Sequence, residues 1–213
     1  MVSWEGSMKK AATVLLFMAG LLIYAGCKAQ QAEPQTVVNL KAAITGETTA
    51  SATYAAFAIK AKEENLAPIA VLFDAASRAE KIHANNHTRA LAKLGKKMDA
   101  INPSVTVKST RENLETAIKG ENYEVVSMYP DFIKKATDEN VAEVLTTFKY
   151  AFEVEKIHYK LYTDALASLD KKKVAGMPVL YAVCPICGNT MSGNMPAVCG
   201  ICGAPQNTFI IVK

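Results

Sequence analysis

Two short motifs constrain this chain more than anything else in it: Glu80-x-x-His83 and Glu155-x-x-His158, which take up two of its 3 histidines. With 14 glutamates in 213 residues, chance would set about 0.2 glutamates three positions ahead of a histidine, so the double occurrence of this helical metal motif is not accidental. Residues i and i+3 leave a helix on one face, and each pair can therefore direct an oxygen and a nitrogen at one point. The surrounding apolar pattern says where that face looks. Phe73, Ala76, Leu91 and Leu94 share the stripe of Glu80 and His83, and Phe148, Ala151 and Tyr162 share that of Glu155 and His158. Both charged pairs are expected to point into a core.

Four segments rich in Ala, Leu, Lys and Glu predict helices over 37–64, 67–95, 109–135 and 138–169, with breaks near Pro68, near Asn102-Pro103 and after Pro130. Two of the connections are short, as between antiparallel neighbours, and the stretch 95–108 is longer. A four-helix bundle over 37–169 follows. Its first helix carries Glu47 on a stripe with Leu40, Ala50, Tyr54 and Ala58. The third carries Glu121 and Glu124, aligned with Leu114, Ala117, Met128 and Phe132. Five carboxylates in one core are prohibitive unless neutralised, matched or coordinated, and no lysine or arginine is set to do it. Two cations would offset most of the charge, and a mixed oxygen and imidazole shell suits iron or manganese. The competing reading puts some of these glutamates on solvated faces. His87, one turn past His83, has no glutamate partner, so it is assigned a supporting role and not a ligand's.

Of five cysteines, four crowd into the C-terminus as CPICG (184–188) and CGICG (199–203), with 11 residues between Cys187 and Cys199. Cys184, Cys187, Cys199 and Cys202 predict a tetrahedral thiolate site, which zinc and iron fill equally well. Gly188 and Gly203 follow the second cysteine of each knuckle, where the backbone must turn to aim amides at sulfur. The charged, Gly- and Pro-bearing stretch 170–179 reads as a linker, and 180–213 as a small β-rich metal domain.

The fifth cysteine has a different setting. Met8-Lys9-Lys10, the apolar run from Ala11 to Ala25 and then Gly26-Cys27 resemble a bacterial lipoprotein signal over 1–27, in which Cys27 becomes the lipidated first residue. Residues 1–7 fit a signal poorly, and Met8 is the expected start. The polar stretch 28–36 reads as a tether, reaching at most about 30 Å. An exported protein, anchored in the membrane and facing the periplasm or cell exterior, is expected. The net charge of +4, from 24 basic and 20 acidic residues spread along the chain, has none of the clustering that tracks nucleic acid.

The runs GETTASATY (46–54), ASRAEKIHANNH (76–87), GENYEVVSMYPDF (120–132) and EVEKIHYKLY (153–162), followed by the cysteine segment, resemble rubrerythrin over essentially everything after residue 37. The resemblance implies a mainly α protein, with a ferritin-like antiparallel bundle and a rubredoxin-like domain. It implies two irons held by Glu47, Glu80, His83, Glu121, Glu124, Glu155 and His158, with Glu80 and Glu155 bridging. A third iron at the cysteines is implied, structural zinc being the alternative. Glu124 would exchange with His83 as one iron changes oxidation state, and Tyr54 and Tyr129 would hydrogen-bond the site. The activity implied is reduction of hydrogen peroxide to water, with electrons relayed from the small domain of one subunit to the bundle of another in a homodimer. Oxygen reduction or ferroxidase activity, and metal binding without turnover, are the alternatives. For an exported protein the electron donor is expected to be an extracytoplasmic redox carrier and not NADH. One departure stands out: Asn189 and Thr190 occupy the place after the first knuckle where many relatives have an aromatic residue.

Overall fold

The computed structural model describes Met1 and residues 33–213; the signal-like segment, Cys27 and most of the expected tether lie outside the described residues. Among the described residues no helix is long and apolar enough to cross a membrane.

Helices α1 (Gln35–Glu63), α2 (Ala67–Lys93), α3 (Thr110–Tyr123), α4 (Tyr129–Asp138) and α5 (Ala142–Asp170) build an antiparallel four-helix bundle, in which α3 and α4 are two halves of one rod. Three of the starts have a visible cause. Pro34 precedes α1, Pro68 lies in the first turn of α2, and Ser109 with Glu112 closes a capping box on α3. Two starts are also tied across the bundle. Glu139 accepts the Thr36 amide at 2.9 Å and Glu64 accepts the Thr110 amide at 3.0 Å, satisfying helix-end donors that would otherwise be orphaned.

The expected break after Pro130 is not there. The helix runs through Pro130 to Asp138, and the chain turns at 139–141, with Asn140 in the left-handed region. A π turn, Glu124–Met128, explains this: it shifts the hydrogen-bond pattern so that Pro130, which has no N–H, falls in the first turn of a fresh α segment.

Two apolar clusters fill the bundle, one around Phe57, Leu72, Phe73 and Tyr162, the other around Leu40, Leu91, Tyr129 and Phe148. The inward carboxylates and histidines lie between them. After α5, strands β1 (Tyr181–Val183), β2 (Thr190–Ser192) and β3 (Ile210–Val212) form an antiparallel sheet in the order β2-β1-β3, with Val183 opposite both Thr190 and Ile210. Tyr181, Val183 and Val212 bury themselves in the first bundle cluster. The small domain is thus packed against the bundle of its own chain.

Candidate metal centre

Helical periodicity delivers the inward side chains, and burial holds them there. Glu47, Glu80, His83, Glu155 and His158 are each at most 1% exposed, and Glu121 2%. They form two groups. Glu47, Glu80, His83 and Glu155 make one, and Glu80, Glu121, Glu155 and His158 the other; within each, the candidate ligand atoms lie within 4.8 Å of one another. Glu80 and Glu155 belong to both, as bridging carboxylates must. His83 Nδ1 is 2.8 Å from Glu80 and 2.9 Å from Glu155, while His158 Nδ1 is 2.9 Å from each of the same two residues.

Six of the seven expected ligands are therefore brought together. Glu124 stands outside both groups, half-buried in the π turn. Tyr54 and Tyr129 are where the resemblance put them: Tyr54 donates to Glu121 at 2.6 Å, and Tyr129 donates to Glu47. His87 is no ligand. Its Nε2 is 3.0 Å from the Tyr129 hydroxyl and its Nδ1 is 2.8 Å from Thr147 Oγ1. Thr147 in turn lines an open cleft of about 300 Å³ with Asn86, Lys93, Glu143 and Tyr150.

Electrostatics divide the acids. Burial, and then repulsion from Glu155 and its neighbours, lifts Glu121 well above the usual carboxylate range; burial and the charges of Glu47 and Glu155 do the same to Glu124. Burial also opposes ionisation of Glu47 and Glu155, yet the adjacent histidines, His83 foremost, hold both below the usual range. Desolvation opposes charging His83 and His158, but Glu155 for the first and Glu80 for the second lead a ring of carboxylates that pushes both well upward. This packing leaves polar atoms stranded. Glu47 Oε2, Glu80 Oε1, both Glu155 oxygens and His158 Nδ1 are buried and, close as several of them lie to one another, make no hydrogen bond of acceptable geometry. Buried polar atoms are almost always satisfied. Orphans converging on two shared points, from oxygen and imidazole donors, fit a pair of metal ions.

The outer faces of the histidines agree. His83 Nε2 lies 3.0 Å from the Cys187 carbonyl, which can only accept. His158 Nε2 lies 2.9 Å from the Thr190 hydroxyl. Proton-bearing Nε2 atoms leave each Nδ1 facing the carboxylates as the nitrogen available to a metal ion. Sequence reasoning missed these outer partners, and Thr147 with them.

At the cysteines, the four sulfurs lie within 4.8 Å of one another, with Cys184 and Cys202 at 3.4 Å and Cys187 and Cys199 at 3.5 Å. These spacings exceed a disulfide bond and suit four thiolates around one ion. Hydrogen bonding from Cys187, the nearby thiol first and then its amide, brings the Cys184 thiol down to about 5, and burial leads the rise of Cys202 to about 11. Metal binding at such a site releases the thiol protons that remain.

A bundle with two carboxylate-bridged histidine groups and an attached four-thiolate site is a di-iron carboxylate protein with its own single-metal domain. The rubrerythrin family model matches residues 39–166. The chain is 37% identical over 177 residues to nigerythrin from Nitratidesulfovibrio vulgaris, covering 82% of this chain and 85% of that one. It is 36% identical over 176 residues to rubrerythrin-2 from Clostridium acetobutylicum, with 80% and 92% covered. The solved structure of fully reduced, all-ferrous nigerythrin superposes with a TM-score of 0.75 at 33% identity, over 96% of this chain and 100% of that one. The chain belongs to the rubrerythrin family. It is a ferritin-like di-iron protein with a rubredoxin-like domain, whose four-cysteine cluster takes an iron or zinc ion.

Proposed function

We propose that this chain is a peroxidase that reduces hydrogen peroxide to water with electrons passed through iron at the four cysteines. The observation that carries this is the joining of the two sites, since His83 and His158 are both hydrogen-bonded to the single turn Cys187–Thr190. A storage or purely structural metal site has no use for such a join. When bound, the iron pair supplies two electrons together to the O–O bond, and the four-thiolate iron returns them singly.

The chain's own groups do the rest. Glu80 and Glu155, which belong to both groups, would hold both ions, and His83 and His158 would complete one group each. Burial keeps bulk water out. Tyr54 and Tyr129 hold protons against Glu121 and Glu47 and fix those carboxylates in place. Thr147 Oγ1, His87, the Tyr129 hydroxyl and Glu47 form an unbroken hydrogen-bonded chain from the open cleft to the site, a route by which protons reach a buried carboxylate. Glu124, whose carboxyl is held well above the usual range by burial and then by the charges of Glu47 and Glu155, is the residue this reading makes the exchanging ligand.

The remaining assignments belong to the same reading: a homodimer, anchored through a lipidated Cys27 on the outer side of the membrane and fed by an extracytoplasmic redox carrier. Cys27→Ser is expected to move the protein from the membrane fraction to the soluble one; unchanged partition would remove the anchor. Anaerobic stopped-flow mixing of the reduced protein with peroxide or with oxygen tests the activity. Faster reoxidation by peroxide is expected, and faster reoxidation by oxygen would overturn the assignment.

A further inference from the structure

The departure at Asn189-Thr190 has a physical use. Both side chains are buried, at 6% and 2% exposure, although a polar pair at this depth is tolerated only when it is hydrogen-bonded. The Thr190 hydroxyl donates to the Gly188 carbonyl at 3.2 Å. With its proton committed there, it meets His158 Nε2 at 2.9 Å as an acceptor, so His158 must carry its proton on Nε2 and present Nδ1 inward. The neighbouring Cys187 carbonyl imposes the same tautomer on His83. Asn189 faces the other way. Its carbonyl accepts the Cys184 amide at 2.9 Å, and its side-chain Nδ2 donates to Cys199 Sγ at 3.5 Å. That donation leaves Asn189 Oδ1 buried without a partner, an arrangement a residue serving only to fill space would avoid.

We propose that Asn189 and Thr190 are positioning residues that couple the two metal centres, Asn189 by setting the potential of the four-thiolate iron through its bond to Cys199, and Thr190 by joining His158 to the turn that bears Cys187. The inference rests on the reading that the cysteines hold redox-active iron. In the step concerned, one electron leaves the ferrous four-thiolate iron, which becomes ferric, and enters a ferric ion of the buried pair, which becomes ferrous; no proton or bond is exchanged. An N–H aimed at sulfur stabilises the reduced, more negative state of a thiolate site more than the oxidised one, and so raises its potential. Through Cys187 and His83 the turn touches one group of ligands, and through Thr190 and His158 the other. Each metal position thereby has its own contact with the electron-carrying domain. An aromatic residue at 189 would offer sulfur no such donor.

The full chain loaded with iron provides the test, by potentiometric titration followed at the thiolate-to-iron absorption. Asn189→Leu, which keeps the branching at Cγ and removes the donor, is expected to shift the one-electron equilibrium about three- to tenfold toward the oxidised form, about 28–59 mV downward. Asn189→Asp, of the same size but with an anionic acceptor, should shift it further the same way; metal content matched to wild type guards against misfolding. Thr190→Val is expected to leave that potential where it was and to slow electron transfer between the sites at least tenfold, and Thr190→Ser to restore the rate. In protein loaded with redox-inert zinc, the His158 Nε2 proton should be slow to exchange in wild type and fast in Thr190→Val. Unchanged potentials in both Asn189 variants, or an unchanged transfer rate and exchange in Thr190→Val, overturn the corresponding half. A wild-type protein lacking thiolate-to-iron absorption sinks the iron reading itself and this inference with it, whereas failure of peroxide to react leaves both measurements standing.

Discussion

Gly188→Ala tests whether the two metal sites are in contact. Gly188 has φ +82°, in the region that favours glycine, and a Cβ there would overlap the His83 ring at Nε2 and Cδ2. Gly203, in the matching place on the second knuckle, has φ +75° with nothing within 4 Å of its Cβ position. The two glycines share the backbone problem and differ only in the neighbour. Forcing alanine into left-handed backbone costs about 1–2 kcal/mol. At Gly188 the displaced ring also leaves the buried Cys187 carbonyl without its donor, a further loss of about 1–3 kcal/mol. Gly188→Ala should therefore destabilise by about 2–5 kcal/mol, and Gly203→Ala by the backbone part alone. For a chain of this length that is a fall in Tm of roughly 4–20 °C against roughly 2–8 °C. Denaturant unfolding at matched metal content measures the difference, since bound metal adds its own stability. Gly188→Ala should also weaken iron retention in the buried pair. Equal destabilisation by the two variants, with iron retention unchanged, would refute the contact between His83 and the knuckle.

Three further predictions bear on the site and the fold. Glu124→Ala should leave both metal groups loaded, because neither needs it, and slow peroxide turnover at least tenfold; metal analysis with stopped-flow kinetics checks both halves. Thr147→Val, which cuts the chain of donors behind His87, should slow peroxide reduction about tenfold or more with metal content unchanged; an unaltered rate would mean that protons arrive elsewhere. Glu139 bonds the first turn of α1, and the Thr36 amide holds its carboxyl down at about 2. A depressed folded value means its contribution is complete above the ordinary carboxylate range and fades as pH falls toward 2. Acid unfolding should therefore be less steep in Glu139→Gln than in wild type over that window.

The bundle and its ligands were legible because their signals are local. Glu80-x-x-His83 and Glu155-x-x-His158 sit on one face by helical geometry alone, and the stripes that include Phe73, Tyr162 and Phe148 fall in the core as the pattern requires. Helix ends were less legible. Pro130 reads as a break from its chemistry, but the π turn before it supplies a position where a missing N–H does no harm. The same turn explains Glu124. Its spacing from Glu121 suits a common helical face only if the helix stays regular, and a π turn begins at Glu124 itself, which stands apart from the six grouped ligands.

What could not be read was which outer atoms the histidines would meet. His83 reaches a carbonyl 104 positions away and His158 a hydroxyl 32 positions away. Neither pairing leaves a periodic mark, because each depends on how a three-stranded sheet beds its Tyr181, Val183 and Val212 into the bundle. The cue that was present had the form of an exception: a buried Asn-Thr pair where an aromatic residue was expected. An aromatic ring would need only space, whereas an amide and a hydroxyl seek partners, which Thr190 finds in His158 and Gly188 and the Asn189 nitrogen in Cys199. The exception therefore marks where the small domain meets the bundle. The residue types narrow what lies there further, since a hydroxyl committed to a carbonyl accepts from an imidazole and an amide nitrogen finds a thiolate. The contact joins two polar, metal-binding surfaces and not merely two apolar ones.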